Sequence, residues 1–397
     1  MFTKERILLF TLAAIQFTNI VDFMIVMPLG PLLKRIFNIN PQQFGLIVSA
    51  YTFSAGISGF LGAFVIDRFD RKTALLTTYM GFALGTLACA LAPTYHTLLL
   101  ARVFTGMFGG VLGALVLAVV GDAIPFERRG AAMGTVMAAF SLASIFGVPF
   151  GLFLATSLGW HAPFLFLVAI AAVVAVFIYI YMPHMHAHIS KGKIKHTPVE
   201  VITQITSNKV QMFALFLMFL LMIGQFGVVP FISNYMVANV GFGEKDLTYI
   251  YMAGGAFTIF TSPLIGKLGD KYGNVKVFTI AILISLIPMF LITNMPQIHI
   301  VYALMVTSLF FITSGGRMIP ATTLITATVS PQNRGSFMSL NSSVQQISAA
   351  IGSLIGGFVI VQQADGKLLN YQYVGYIAMF TSVACIFVAR RLKPQGN

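Results

Sequence analysis

The chain has 397 residues, of which 57% are hydrophobic and only 9% are Asp, Glu, Lys or Arg. A soluble domain carries about a quarter charged residues, so this balance excludes an ordinary globular enzyme. The formal charge of +13 raises nucleic acid as a partner, and the placement of the basic residues along the chain has to decide it.

Twelve apolar stretches recur, each long enough to cross roughly 30 Å of hydrocarbon as a helix. The first six run near Ile7 to Leu33, Phe44 to Ile66, Thr73 to Ala92, Thr97 to Val120, Gly130 to Thr156 and Ala162 to Met182. The second six lie near Val210 to Val237, Leu247 to Ile265, Val275 to Thr293, Ile298 to Ala327, Gly335 to Val361 and Val374 to Val388. The first run is too long for a signal-peptide core and is expected to remain as a span. Cys89 and Cys385 fall inside spans and act as small hydrophobes, not as a disulfide or metal framework.

With the N-terminus inside, 18 of the 24 basic residues fall in inner segments and four, Lys34, Arg35, Lys245 and Lys367, in outer loops. That asymmetry is the positive-inside pattern, so it predicts a multi-pass protein of the cytoplasmic (inner) membrane with both termini in the cytoplasm, and no nucleic acid. Pro28 and Pro230, Asp67 and Asp270, and Gly130 and Gly335 recur at offsets of 202, 203 and 205. Six spans followed by six similar spans predict an all-α membrane protein of two pseudo-symmetric six-helix bundles, residues 1–182 and 210–397, joined by a cytosolic linker, 183–209. The linker holds His184, His186, His188 and His196, a compositional tract from which no metal site is read. Gly106, Gly110 and Gly113, and Gly352 with Gly356, have the small-residue spacing that lets helices approach closely.

After the second span the sequence reads Asp67-Arg68-Phe69-Asp70-Arg71-Lys72, and after the eighth Gly266-Lys267-Leu268-Gly269-Asp270-Lys271-Tyr272-Gly273. These resemble the loop signature of the major facilitator superfamily, the first copy having Ala63 and Asp70 where glycines are usual. Arg102-Val103-Phe104-Thr105-Gly106, and Asp122 followed by Pro125-Phe126-Glu127-Arg128-Arg129-Gly130, extend the resemblance over the chain. Asp22 with Pro28 is similar to the first-span motif of the drug and sugar efflux branch, the 12-span drug:proton antiporters. Gly147-Val148-Pro149-Phe150-Gly151 is similar to the antiporter element of the fifth span. The resemblance implies the major facilitator fold and alternating access. Opposed charges at the cytosolic helix ends, Asp67, Arg68, Arg71, Asp122, Arg128, Asp270 and Lys271, read as a latch between helices, with solvated loops obeying the positive-inside pattern as the alternative.

Asp22 is the one acid well inside a span, a costly placement for which function is the default reading. Gln16, Asn19 and Asp22 share one helical face, expected to face a wet cavity, and Arg102 enters its span at a depth where it can meet Asp22. The pair reads as proton-coupling, with a permanent structural pair as the alternative. Arg317, near the middle of the tenth span, reads either as a substrate contact or as a ligand of helix carbonyls, Asn341 or Gln345. Gln16, Asn19, Arg317, Gln225, Asn341 and Gln345 are the candidate substrate-binding residues. The sequence has no nucleophile-and-base pair, no HExxH and no P-loop. The expectation is a proton-coupled exporter of a small amphipathic, drug-like or sugar-like solute, working as a monomer without a cofactor, with sodium open as the coupling ion. The alternatives are a uniporter or importer of a small organic solute, anionic ones included, or a transport-like membrane receptor.

Overall fold

The computed structural model describes residues 3–185, 198–329 and 334–392. In hydrocarbon every backbone N–H and C=O must be satisfied within the chain, and the described residues accordingly form helices almost throughout. The first half comprises α1 (Thr3–Ile25), a short α2 (Gly30–Phe37), α3 (Pro41–Val65), α4 (Arg71–Ala90), α5 (Tyr95–Ala123), α6 (Phe126–Leu142), α7 (Val148–Leu158) and α8 (Ala162–Tyr181). The second comprises α9 (Pro198–Thr206), α10 (Lys209–Val228), α11 (Ile232–Tyr235), α12 (Asp246–Tyr272), α13 (Asn274–Thr293), α14 (Ile300–Ala327), α15 (Arg334–Val359) and α16 (Tyr371–Ala389). One small hairpin, Val361–Gln362 paired antiparallel with Leu368–Leu369, precedes α16.

Each of the twelve expected spans is helical. Ten are long and apolar enough to cross a membrane on composition alone. The other two, α12 and α15, have 27 and 26 residues, ample length at about 1.5 Å per residue. They are more polar because α12 ends in charges and α15 carries a run of Ser, Asn and Gln, of which Asn341, Ser343, Ser348 and Ser353 are buried. Many large apolar side chains are exposed, Phe260 at 76% and Phe380 at 75% among them, as a lipid-facing surface requires.

Proline sets the breaks. Pro28 lies in the turn between α1 and α2, and its repeat mate Pro230 lies in a 3₁₀ turn, Val229–Phe231, between α10 and α11. Pro149 contributes no N–H, and the turn just ahead of it, Ala143–Gly147, widens to a π-helix. Between α12 and α13 the chain reverses at Gly273, where φ of +89° favours glycine.

Packing divides the chain into two compact units, Met1–Val26 with Ala50–Pro198, and Met27–Ser49 with Val199–Asn397. In the first, Leu12, Leu75, Tyr79, Phe82, Leu112 and Val116 centre a core built from α1, α4, α5 and α8. In the second, Phe44 meets Phe231 edge to face at 5.8 Å. There Ser353 also donates to the Gly45 carbonyl at 3.1 Å.

Small residues permit the closest approaches. A Cβ on Gly110 would collide with the Ala55 backbone, and one on Gly59 would lie 2.9 Å from the Gly110 carbonyl oxygen. Gly352 and Gly356 lie likewise against α10. Gly113 is a correction to the spacing argument, since nothing lies within 4 Å of its would-be Cβ. Spacing alone does not say which glycine of a series meets the neighbour. Gly110→Val is therefore expected to cost about 1–3 kcal/mol, as overpacking of a tight contact does, while Gly113→Ala leaves thermal melting in detergent unchanged. Equal melting shifts for the two would refute the assigned contact.

Candidate functional site

In the first unit the two intramembrane charges meet. Asp22 has no exposed surface and Arg102 is 1% exposed. The Arg102 Nη1 donates to Asp22 Oδ2 at 2.7 Å and reaches the Asp22 carbonyl at 3.4 Å. The other carboxylate oxygen, Oδ1, lies 3.1 Å from the Thr86 hydroxyl, which is also 3.1 Å from the Phe82 carbonyl one turn back. The guanidinium lies over the Tyr51 ring, 4.3 Å from its centroid. Tyr51 in turn donates to Asn19 Oδ1 at 2.7 Å, and Asn19 Nδ2 donates to the Gly109 carbonyl at 3.2 Å. Glycine at 109 is needed because a Cβ there would collide with the Tyr51 hydroxyl. The network ties α1, α3, α4 and α5 around one buried ion pair.

The expected wet face of α1 is thus occupied by protein at two of its three positions, Asn19 and Asp22. Gln16, the third, is half-buried, and its Oε1 is buried without a hydrogen-bond partner. The antiporter element packs onto the same helix. Gly147 abuts Val21 and Phe17, and Gly151 abuts Ile25; Phe17, Val21, Gly147 and Gly151, with Phe146, Phe150 and Phe166, border an apolar cavity of about 300 Å³. Pro149 opens α7 beside it.

In the second unit Arg317 is 1% exposed. Its Nη2 donates to Gln225 Oε1 at 2.6 Å, and its Nη1 donates to the Ser382 hydroxyl at 3.1 Å and lies 3.9 Å from Met289 Sδ. Ser314 is 3.4 Å from Nη2. The partners expected from sequence, helix carbonyls or Asn341 and Gln345, are not the ones found. Gln225, Ser382 and Met289 reach Arg317 from α10, α16 and α13, whereas Asn341 is buried on α15 with its Oδ1 unpartnered. Gln345 is half-buried on the same helix. Among the described residues no carboxylate pairs with Arg317, so this charge is held by neutral dipoles alone.

The latch residues are brought together only in part. Arg71, 5% exposed, donates through Nε to Asp122 Oδ2 at 2.8 Å. Arg128 pairs with Glu5 at 2.9 Å, which ties the start of α6 to α1. Arg68 is exposed, and the side chain of Asp67 lies outside the described residues. Asp270 and Lys271 occupy the exposed last turn of α12 and form no ion pair among the described residues; Lys271 lies 5.1 Å from the centroid of the Tyr272 ring. Of the linker histidines only His184 is described.

Asp70, which the motif comparison set aside as a departure, is the anchor of this loop. It caps α4 by accepting from the Thr73 N–H and hydroxyl, each at 3.1 Å. It also accepts from the Met185 N–H at 2.6 Å and lies 2.9 Å from His184 Nδ1. Burial pushes its carboxyl up, but the N–H bonds from Met185 and Thr73, then His184 and the Thr73 hydroxyl, outweigh it and hold the group at about 2. A carboxylate lowered from 3.8 to about 2 stabilises fully above the higher value and loses that contribution as pH falls through the lower one. Asp70→Ala is expected to lower stability by about 1–2 kcal/mol, as loss of an N-cap does. The gap from wild type should persist in melts at pH 7 and pH 5 and close only towards pH 2; a gap already closed at pH 5 would refute the clamp.

With this geometry in view, the comparisons with known proteins are direct. The family model of the Major Facilitator Superfamily matches residues 12–257 and 214–397. The chain belongs to that superfamily. It is 29% identical over 386 residues to the uncharacterized MFS-type transporter YwfA of Bacillus subtilis (strain 168), covering 94% of this chain and 89% of that protein. It is 26% identical over 353 residues to the multidrug resistance protein MdtG of Enterobacter lignolyticus (strain SCF1), covering 85% of this chain and 82% of that one. The crystal structure of a D-xylose-proton symporter matches with a TM-score of 0.78 at 16% identity, over 100% of this chain and 99% of that one, which shows the shared fold. As a member of the superfamily the protein is a multi-pass membrane transporter of small molecules. Sequence reading of this superfamily member missed Tyr51, Thr86 and Ser382. Thr86 and Ser382 are neutral hydroxyls in spans, where a bond to the helix's own backbone is the usual fate, and a lone Tyr in an apolar span gives no sign of the partner its ring and hydroxyl will meet.

Proposed function

We propose that this transporter exports a small amphipathic, drug-like or sugar-like solute in exchange for protons by alternating access, acting as a monomer in the cytoplasmic membrane with both termini inside. The observation that carries the reading is the pair of alternatives open to the Thr86 hydroxyl. With Asp22 ionised, Thr86 donates to Oδ1; with Asp22 protonated at Oδ1, the carboxyl donates to the Thr86 oxygen and the Thr86 hydrogen turns to the Phe82 carbonyl, each at 3.1 Å. Both protonation states are then hydrogen-bonded, and Arg102 keeps the Tyr51 face and the Asp22 carbonyl when the carboxylate charge is lost. A permanent structural pair would need no second state. Breaking the ion pair by protonation frees α1 from α5, which links proton uptake to the choice between access states.

Arg317 is the substrate-contact residue of this reading in the second unit, with Gln225 aligning it and the unpartnered carbonyl oxygen of Asn341 as a further hydrogen-bonding position of that unit; in the first unit the unpartnered carbonyl oxygen of Gln16 is a candidate by itself. MdtG is named a multidrug resistance protein, which supports the export direction. The test is solute-driven proton release from proteoliposomes holding an internal pH dye, run against a chemically diverse solute panel. Proton movement that needs both the protein and a solute supports coupled exchange. Labelled solute crossing with no proton movement replaces it with uniport or coupling to another ion.

A further inference from the structure

Within the second unit a cavity of about 670 Å³ lies among α2, the turn after α11 and the hairpin before α16, well away from Arg317 in sequence and partners. On the positive-inside reading this is the outer end of the molecule. Its lining is polar and cationic: Lys34 and Arg35 from α2, Asn38 and Asn40 after it, Asn234, and Gln362 from the hairpin.

Two of these groups lack what burial demands. Asn234 is 3% exposed, and neither its Oδ1 nor its Nδ2 has a hydrogen-bond partner. A buried amide left with neither bond is costly, but both of its polar atoms are covered by protein, so Asn234 shapes the wall without offering a bond to what fills the cavity. The room for this amide is built in, since a Cβ at Gly30 would collide with its nitrogen. Lys34 is half-buried and has no acidic partner among the described residues. Burial pulls its ammonium down from 10.5 to about 8, the direction expected of a cation short of a counter-charge. Arg35 is already neutralised by Glu244 at 3.0 Å, and Asp365 lies 3.8 Å from Lys367. The local acids are thus engaged with other cations, and Lys34 carries the uncompensated charge.

We infer that this cavity is a binding site for a hydrophilic organic anion, its carboxylate or phosphate on Lys34 and its neutral hydrogen-bonding groups on the amides of Asn38 and Gln362. The inference deepens the transporter reading, placing an anionic solute at the outer end of its path. It names a class, polyhydroxylated acids, which neutral drug-like solutes do not share. An ammonium pairs with either oxyanion as a point charge, and the ring of amides selects against wholly apolar acids. The same chemistry is found in an anionic lipid headgroup, so the test must separate the two sources.

The experiment is equilibrium binding to the full chain in nanodiscs of phosphatidylcholine alone, with gluconate and glucose 6-phosphate as probes and glucose as the neutral control. One or both anions are expected to bind and glucose not to. Lys34→Ala should weaken anion binding about tenfold or more, the loss of one charge-assisted bond, and Gln362→Ala should weaken it by a smaller factor. Lys34→Arg should retain most of it, which a merely structural role for Lys34 would not require. Binding is read without proton movement, so silence in the liposome assay does not touch this result and the two ideas fail separately. The inference is overturned if neither anion binds, if Lys34→Ala binds as wild type does, or if only added phosphatidylglycerol is held by Lys34.

Discussion

Asp22→Asn is expected to reduce solute-driven proton release to the level of protein-free vesicles while the protein still melts cooperatively. The amide cannot take up or release a proton, but its oxygen can still accept from Arg102 Nη1, which lies 2.7 Å from the carboxylate in the native pair. Asparagine is the informative substitution for that reason. Removing a side chain outright from a buried pair strands the partner charge, at a typical cost of about 3–5 kcal/mol. Arg102→Ala, leaving a carboxylate with no exposed surface, is the variant to avoid. Thr86→Val separates carrier from scaffold further. It deletes the hydroxyl that serves both protonation states, so exchange should slow and its pH profile should move, whereas a structural pair held by Arg102 would be indifferent to pH. Full proton release by Asp22→Asn would remove Asp22 from the coupling mechanism.

The spans could be read before the structure because hydrocarbon leaves the chain few choices. Even α12 and α15, which fall short of a strict apolar criterion, show as apolar stretches long enough to span. Asp22 and Arg102 were legible as a pair for a related reason: charge at membrane depth is rare enough that two such residues at similar depth have few other partners. What surrounds them was not legible. A threonine such as Thr86 one turn beyond Phe82 ordinarily bonds that carbonyl, and nothing in the sequence says that Asp22 will lie at the same distance on its other side. Asp70 was misjudged by comparison with a motif that prefers glycine there. Its local pattern, an Asp three residues before Thr73 at the start of an apolar run, was a helix-capping signal in plain view. The latch residues show the opposite limit. Loop charges repeat in both halves, but whether they pair depends on which helix ends lie alongside, so Arg71 finds Asp122 while Asp270 stays exposed.

Arg317→Met should leave the melting temperature unchanged or raised while solute affinity and transport fall about tenfold or more. The argument rests on what opposes the charge. Bonds from a charged donor to Gln225, Ser382 and Ser314 contribute about 1.5–3 kcal/mol each at best, and the one to Ser314 is long, at 3.4 Å. Taking a guanidinium out of water costs several kcal/mol even after relaxation, and among the described residues no anion offsets it. An apolar side chain of similar length fills the space between α10, α13 and α16 without that cost, and leaves one amide, Gln225, bonded at longer range to Ser314, 3.3 Å away. A residue that costs stability where a neutral one would serve is best understood as held for a ligand. The companion Gln225→Ala keeps the charge but frees the guanidinium to swing. If Arg317 meets substrate directly, Arg317→Met should lose more affinity than Gln225→Ala, with the gap widest for anionic solutes and absent for neutral ones. A large fall in melting temperature with specific transport unchanged would make Arg317 a structural tie and nothing more.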